Sequence, residues 1–266
     1  MTYILGLSGK KQSGKTMTAN WIIGQQMCAM NMVSWIKINS KGNLVVPAVV
    51  NDELIEGVFD PLSQNPDVQN MLSQYVWPVV KLYSFAEILK MSVAAIFGLS
   101  YEQVNGSNED KNRPTKFTWE MFKPFLTANI KRDISQQNAW SEHLSGRNLL
   151  QIVGTEIFRR IHGDIWVDAC MNEIANDKPG LAIITDCRFP NEVDGVHNAG
   201  GKVIRFTRSP FTEQDQHESE TALDDYSASQ FDFVLDNANM SIEEHNKAIN
   251  EKLTEWGYNT WKWRIA

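Results

Sequence analysis

Eight consecutive residues carry the plainest chemistry in the chain: Gly9, Lys10, Lys11, Gln12, Ser13, Gly14, Lys15 and Thr16. The spacing Gly-x-x-x-x-Gly-Lys-Thr lets successive backbone N–H groups turn inward as an anion nest, and a helix starting at the second glycine adds its positive end. Lys15 is then placed to reach the β and γ phosphates of a nucleoside triphosphate, and the Thr16 hydroxyl to ligate Mg²⁺. The bland alternative is a glycine turn with a surface lysine. It sits poorly with the apolar run Tyr3-Ile4-Leu5-Gly6-Leu7 before the loop and the amphipathic segment after it. Strand, glycine loop and helix together read as a nucleoside triphosphate site, with Gly9 to Thr16 holding ATP.

A second group of residues is scattered. Asp186 follows the apolar run Leu181–Thr185, at the strand end where ligands of parallel sheets gather, and suits organising Mg²⁺ directly or through water. A turn acid or a helix N-cap is its plainer reading. Arg147, Arg159, Arg188 and Arg208 are candidate phosphate clamps, since the guanidinium fork pairs with phosphate oxygens; each also has an ordinary reading as a surface arginine. In many hydrolytic motors the strand ends in two acids, the second orienting water. Here Cys187 follows Asp186, which weakens that reading. A kinase acting on a phosphate oxygen needs no such base, only cationic clamps and exclusion of water.

These residues need elements to hold them. Thr16 to Met30 reads as the helix after the loop, Trp35–Ile38 and Leu44–Val46 as a hairpin, Asn51 to Asn65 as an inserted polar loop, and Asp67 to Tyr75 as a short helix. Val79–Tyr83 reads as a strand, with Ser84 as N-cap of a helix running to Phe97. In Gly146 to Ile161 the apolar residues Leu149, Leu150, Val153, Ile157, Phe158 and Ile161 recur at helical spacing. The polar side of that helix carries Arg147, Gln151, Thr155 and Arg159. Ile165–Ile174 reads as a further helix. Strand Leu181–Thr185, helix Glu192–Asn198, strand Lys202–Thr207, strand Phe231–Leu235 and a last helix with the capping box Ser241/Glu244 complete an alternating α/β pattern. Lys111-Asn112-Arg113-Pro114 reads as a solvated surface or as a mobile piece meeting substrate.

Composition narrows the classes. The 266 residues fit one large domain, and a formal charge of −7 argues against general affinity for the nucleic-acid backbone. Three widely spaced cysteines, Cys28, Cys170 and Cys187, fit a reducing compartment, and neither they nor the five histidines make a metal-ligand cluster. No apolar run reaches membrane-spanning length, and strand one starts too early for a signal peptide, so a cytoplasmic protein without a membrane partner is expected. Trp261-Lys262-Trp263-Arg264 reads as packing or subunit contact rather than nucleic-acid binding, and His217-Glu218-Ser219-Glu220 as polar surface rather than a metal cluster.

Taken in order, these motifs resemble the phage deoxynucleoside monophosphate kinase family over most of the chain. The resemblance lies in the phosphate loop, in Leu82-Tyr83-Ser84-Phe85-Ala86 leading to Leu89-Lys90, and in Gly146-Arg147 leading to Leu150-Gln151 and Gly154-Thr155. It continues through Asp164-Ile165-Trp166, Thr185-Asp186-Cys187-Arg188-Phe189-Pro190-Asn191-Glu192, Gly200-Gly201 and His217–Glu220. It implies a single P-loop nucleoside triphosphate hydrolase-like three-layer α/β domain of the nucleoside monophosphate kinase type, with a predominantly parallel sheet. Insertions are expected at 31–78 and 101–145 and a lid-like segment at 208–224. It also implies transfer of the ATP γ-phosphoryl group to a deoxynucleoside monophosphate, assisted by Mg²⁺, in the cytoplasm of an infected host, with a homodimer as a candidate assembly and no stable nucleic-acid partner. Catalysis would fall to Lys15, Arg147, Arg159, Asp186 and Arg188. Arg208 would join the loop at ATP, and Phe85, Lys90, Arg113, Arg147, Gln151, Thr155 and Arg188 would meet the acceptor. A dephospho-coenzyme-A-kinase-like enzyme and a non-enzymatic nucleotide-binding packaging protein are the alternatives.

Overall fold

The computed structural model describes residues 2–126, 140–209 and 221–260. The chain forms two compact units, Met1–Ser84 with Met171–Ala266, and Phe85–Cys170.

The first unit is built on a parallel sheet of five strands: β1 (Tyr3–Ser8), β5 (Val80–Tyr83), β8 (Leu181–Cys187), β9 (Lys202–Phe206) and β10 (Phe233–Leu235). Their order is β10-β9-β1-β8-β5, which the sequence alone did not disclose, and every neighbouring pair is parallel. A parallel strand covered on both faces reads as an unbroken apolar run. Leu181, Ala182, Ile183 and Ile184 meet that condition with no exposed surface. Leu5 and Leu7 of β1 join Ile183, Ile204 and Phe206 in a core with Ile22 and Ile23 of α1 (Lys15–Ala29). Gly6, between those leucines, faces the other way. A Cβ there would lie 2.8 Å from Cys187 Sγ and 3.3 Å from Val196 of α10 (Pro190–Asn198). Helices therefore cover both faces, as the α/β reading expects. The last helix, α11 (Ile242–Trp256), starts at the Ser241/Glu244 capping box and adds Ile249 and Leu253 to the α1-side core.

An antiparallel sheet, β2 (Lys37–Ile38), β3 (Leu44–Val50) and β4 (Glu53–Phe59), lies in the same unit. The first hairpin is where the sequence places it. The second corrects the reading of Asn51 to Asn65 as a loop. Asn51 and Asp52 alone form the turn, with φ of 51° and 64°. These two residue types tolerate the left-handed pair of angles that a two-residue hairpin turn demands. Beyond them β4 pairs with β3 in continuous register from Val50↔Glu53 to Leu44↔Phe59. Then α2 (Pro66–Met71), capped by the Asn65 side chain, continues into a π-turn segment, Leu72–Val76.

The second unit contains α3 (Phe85–Phe97), α4 (Tyr101–Asn105), α5 (Asn108–Asn112), β6 (Pro114–Thr118), α6 (Trp119–Phe122), β7 (His143–Ser145) and α7 (Gly146–Gln151). A π segment, Ile152–Phe158, carries α7 into α8 (Arg159–Ile161). The helix α9 (Ile165–Asp177) then passes from this unit to the first. Val93, Trp119, Phe122, Leu144, Leu149, Ile152 and Val153 form the second unit's core. No described helix is long and apolar enough to cross a membrane.

Candidate active site

The loop Gly9–Thr16 joins β1 to α1, so its last residues are the first of the helix. Its backbone takes positive φ at Gly9 (149°), Gln12 (59°) and Gly14 (110°). Angle disfavours a side chain at both glycines, and space is shortest at Gly9. A Cβ on Gly9 would sit 2.4 Å from Ser13 Oγ, and one on Gly14 3.2 Å from both Asn237 Nδ2 and His245 Cε1. Lys15 is only 9% exposed. A buried ammonium needs acceptors: its Nζ donates to the carbonyls of Gly9 at 2.6 Å and Lys10 at 2.7 Å, with Ser13 Oγ at 3.5 Å. The cation is thus held across the mouth of the loop by the loop's own carbonyls. Thr16 is exposed, as are Lys11 and Gln12, while Lys10 is ion-paired with Asp224.

These features fit a triphosphate with Mg²⁺. The loop's donors are backbone N–H groups, the Lys15 ammonium and the Thr16 hydroxyl, the groups a triphosphate and its cation would meet. Among the described residues no group of three or more His, Cys, Asp or Glu could hold a metal ion. Thr16 and Asp186 are the residues that would hold Mg²⁺.

Asp186 stands at the carboxyl end of β8, beside β5, and accepts a 2.7 Å hydrogen bond from Ser84 Oγ. The sequence reading gave Ser84 to a helix N-cap and did not foresee this bond between neighbouring strand ends. Two residues on, the backbone N–H groups of Arg188 and Phe189 donate to the buried Glu192 carboxylate at 2.7 and 3.1 Å, which fixes the turn into α10. The backbone N–H of Arg208, just after β9, donates to Asn237 Oδ1 at 3.0 Å.

The remaining predicted residues lie in the second unit. Arg147, in the first turn of α7, donates through Nη2 to Asn108 Oδ1 at 2.9 Å, and Arg113 pairs with Asp110 of the same short helix α5. Lys90 pairs with Glu87 on α3. Phe85 is 2% exposed. Gln151, Thr155 and Arg159 are half-buried along α7, its π segment and α8. At the π segment Gly154 meets Leu89, to which an added Cβ would approach within 2.6 Å, and the Gly154 carbonyl accepts from Arg159 N–H and from Trp166 Nε1. The extra residue per turn shifts Thr155 and Arg159 off the face that regular α spacing gives them. The His217–Glu220 group and Trp261–Arg264 lie outside the described residues, as does most of 208–224.

Sequence reasoning missed a buried polar group behind the phosphate loop. Asn237 Nδ2 donates to the Ser13 carbonyl at 2.7 Å. His245 Nδ1 lies 3.4 Å from the same amide nitrogen, and its Nε2 is 2.8 Å from Thr18 Oγ1. The imidazole stacks on Phe206 with centroids 5.3 Å apart. Burial, followed by the charge of Arg208, pushes the His245 pKa down to about 4, so the ring is neutral at pH 7. Arg205 was also passed over: its Nη1 donates to Ser8 Oγ at 3.0 Å, one residue before the loop, and burial lowers its pKa.

A family model described as deoxynucleotide monophosphate kinase matches residues 81–249, more than half of the chain. The deoxynucleoside-5′-monophosphate kinase of Escherichia phage T5 is 36% identical over 86 residues, 31% of this chain and 34% of that protein. A putative deoxynucleotide monophosphate kinase of Acanthamoeba polyphaga mimivirus is 30% identical over 178 residues, 62% of this chain and 79% of that protein. The chain therefore spans about a third of the first relative's length and about four fifths of the second's. The family match begins downstream of the phosphate loop, which makes the loop and the family likeness separate observations. With the family model matching more than half of its length, the chain belongs to the deoxynucleotide monophosphate kinase family.

Proposed function

We propose that this chain transfers the γ-phosphoryl group of ATP to the phosphate of a deoxynucleoside 5′-monophosphate, giving ADP and a deoxynucleoside diphosphate for viral DNA synthesis. The observation that carries the reading is the phosphate loop, with Lys15 held by the carbonyls of Gly9 and Lys10, in a member of this kinase family. Gly9 to Thr16 bind the β and γ phosphates through backbone N–H groups and Lys15, with Arg208 on the same nucleotide. Mg²⁺, when bound, neutralises charge on the β and γ oxygens. Thr16 and Asp186 orient it, and Ser84 keeps Asp186 in place.

The acceptor oxygen is anionic at neutral pH and needs no general base, so positioning and charge stabilisation supply most of the rate. Some combination of Arg147, Arg159 and Arg188 holds the acceptor phosphate, Phe85, Gln151 and Thr155 lie closer to its sugar or base, and Lys90 and Arg113 are further acceptor contacts. The wide spacing of Cys28, Cys170 and Cys187 in the sequence supports action in a reducing host cytoplasm. The test is incubation with ATP, Mg²⁺ and a panel of deoxynucleoside monophosphates. ADP formation that depends on particular monophosphates is expected; hydrolysis of ATP at the same rate without any acceptor would rule the reading out.

A further inference from the structure

We infer that Asn237 and His245 form a clasp that positions the phosphate loop for its nucleotide, joining the loop to the last strand and the last helix. The inference rests on the reading of that loop as the ATP site. Asn237 follows β10 and is 3% exposed. Both ends of its amide are engaged, Nδ2 by the Ser13 carbonyl at 2.7 Å and Oδ1 by the Arg208 N–H at 3.0 Å, which fixes its orientation. Among the described residues no peptide bond is cis. In a trans peptide the carbonyl oxygen and the next N–H point in opposite directions. Holding the Ser13 carbonyl toward Asn237 therefore turns the Gly14 N–H away from it. Such outward carbonyls and inward N–H groups are what an anion nest requires.

His245 locks the amide from behind. Because Asn237 Nδ2 can only donate, the imidazole nitrogen facing it must carry a lone pair, so the ring proton sits on Nε2 and is donated to Thr18 Oγ1. Thr18 is one turn beyond Gly14 and its own N–H donates to the Gly14 carbonyl at 2.9 Å. The clasp thus holds the peptide before Gly14 through Asn237 and the turn after it through His245. Gly14 itself lies against both groups, each 3.2 Å from where its Cβ would stand. A side chain at that position would press on both groups, in a backbone conformation (φ of 110°) that already favours glycine.

Two variants separate positioning from packing. Asn237→Asp keeps an oxygen for the Arg208 N–H but turns an acceptor toward the Ser13 carbonyl. His245→Phe keeps an aromatic ring on Phe206 and removes both nitrogens. With either variant folded, as judged by circular dichroism and thermal unfolding, the expected result is a rise of about tenfold in KM for ATP, the effect of one lost or reversed polar contact. Calorimetric affinity for a non-hydrolysable ATP analogue with Mg²⁺ should fall in parallel, while KM for the acceptor changes less than about twofold. Unchanged ATP affinity in a folded variant, or equal losses for donor and acceptor, would overturn the inference. If Asn237→Asp does not fold, His245→Phe alone decides. The two readings fail differently: an unaltered protein that binds no ATP analogue refutes the ATP site, whereas one that binds it as tightly as both variants refutes only the clasp.

Discussion

At the scale of single residues the account rests on charges held where a triphosphate would meet them. Lys15 donates its nearly buried ammonium to the loop carbonyls of Gly9 and Lys10, which offsets the desolvation of that charge. Lys15→Ala should keep the fold and reduce kcat by about two to three orders of magnitude, the usual loss when one strong transition-state contact goes. Thr16→Ala should instead raise the Mg²⁺ concentration needed for half-maximal rate. Asp186→Asn should shift the same Mg²⁺ dependence and lower turnover, and a rate profile identical to the parent's would remove Asp186 from the site. His245 gives a prediction in pH. Its pKa is depressed in the fold from 6.5 to about 4, by burial and by Arg208, so the unfolded chain binds the extra proton first. Stability should therefore be complete above pH 6.5 and fall as pH drops toward 4, by about 3 kcal/mol for this one group. Around the ring, Thr18 and Asn237 are uncharged partners and Arg208 is the charge that acts on it. Urea unfolding between pH 4 and 7 reads the slope, and His245→Phe should remove that part of it; an undiminished slope in the variant would place the titration elsewhere.

At the scale of elements, α7 and its continuation arrange the acceptor candidates along one stretch of helix. Arg147 lies in its first turn and Gln151, Thr155 and Arg159 follow at four-residue intervals, with the π segment Ile152–Phe158 shifting the last two off the face that regular α spacing gives them. Guanidinium contacts to a phosphate serve every monophosphate, whereas a residue reading the base must distinguish them. Arg147→Ala should lower kcat/KM for all accepted monophosphates by a similar factor, and Gln151→Ala should reorder them. A uniform loss in Gln151→Ala would contradict this division. The β3–β4 hairpin offers a test of local backbone reasoning. With φ of 64° at Asp52, Asp52→Gly removes a left-handed strain and should be neutral or stabilising by up to about 1 kcal/mol, while Asn51→Val should destabilise by about 1–2 kcal/mol. Thermal unfolding of the pair measures both signs, and a stabilised Asn51→Val would show that the turn does not hold these angles.

At the scale of the whole molecule, what could be read from the sequence was what is written locally. The loop motif, the apolar run of β8 and the Ser241/Glu244 box each fit within a few residues, and the parallel sheet follows from their alternation with helices. The β4 strand was misread because Asn51 and Asp52 look like the start of a polar loop, and Glu53 and Glu56 conceal the alternation that pairs Leu54 and Val58 with β3. The clasp was illegible for a different reason. Asn237 and Ser13 are 224 positions apart, and nothing near either residue signals the other. Nor does spacing announce the π segment, in which Gly154 lies against Leu89 and its carbonyl accepts from Trp166 Nε1. The central claim is phosphoryl transfer to a deoxynucleoside monophosphate, and single-turnover transfer from γ-labelled ATP measures it most directly. With Mg²⁺ and an accepted monophosphate present, the label should appear in the β position of the deoxynucleoside diphosphate, and Lys15→Ala should slow its appearance by about two to three orders of magnitude. Label released only as inorganic phosphate, at a rate indifferent to the monophosphate, would contradict the account.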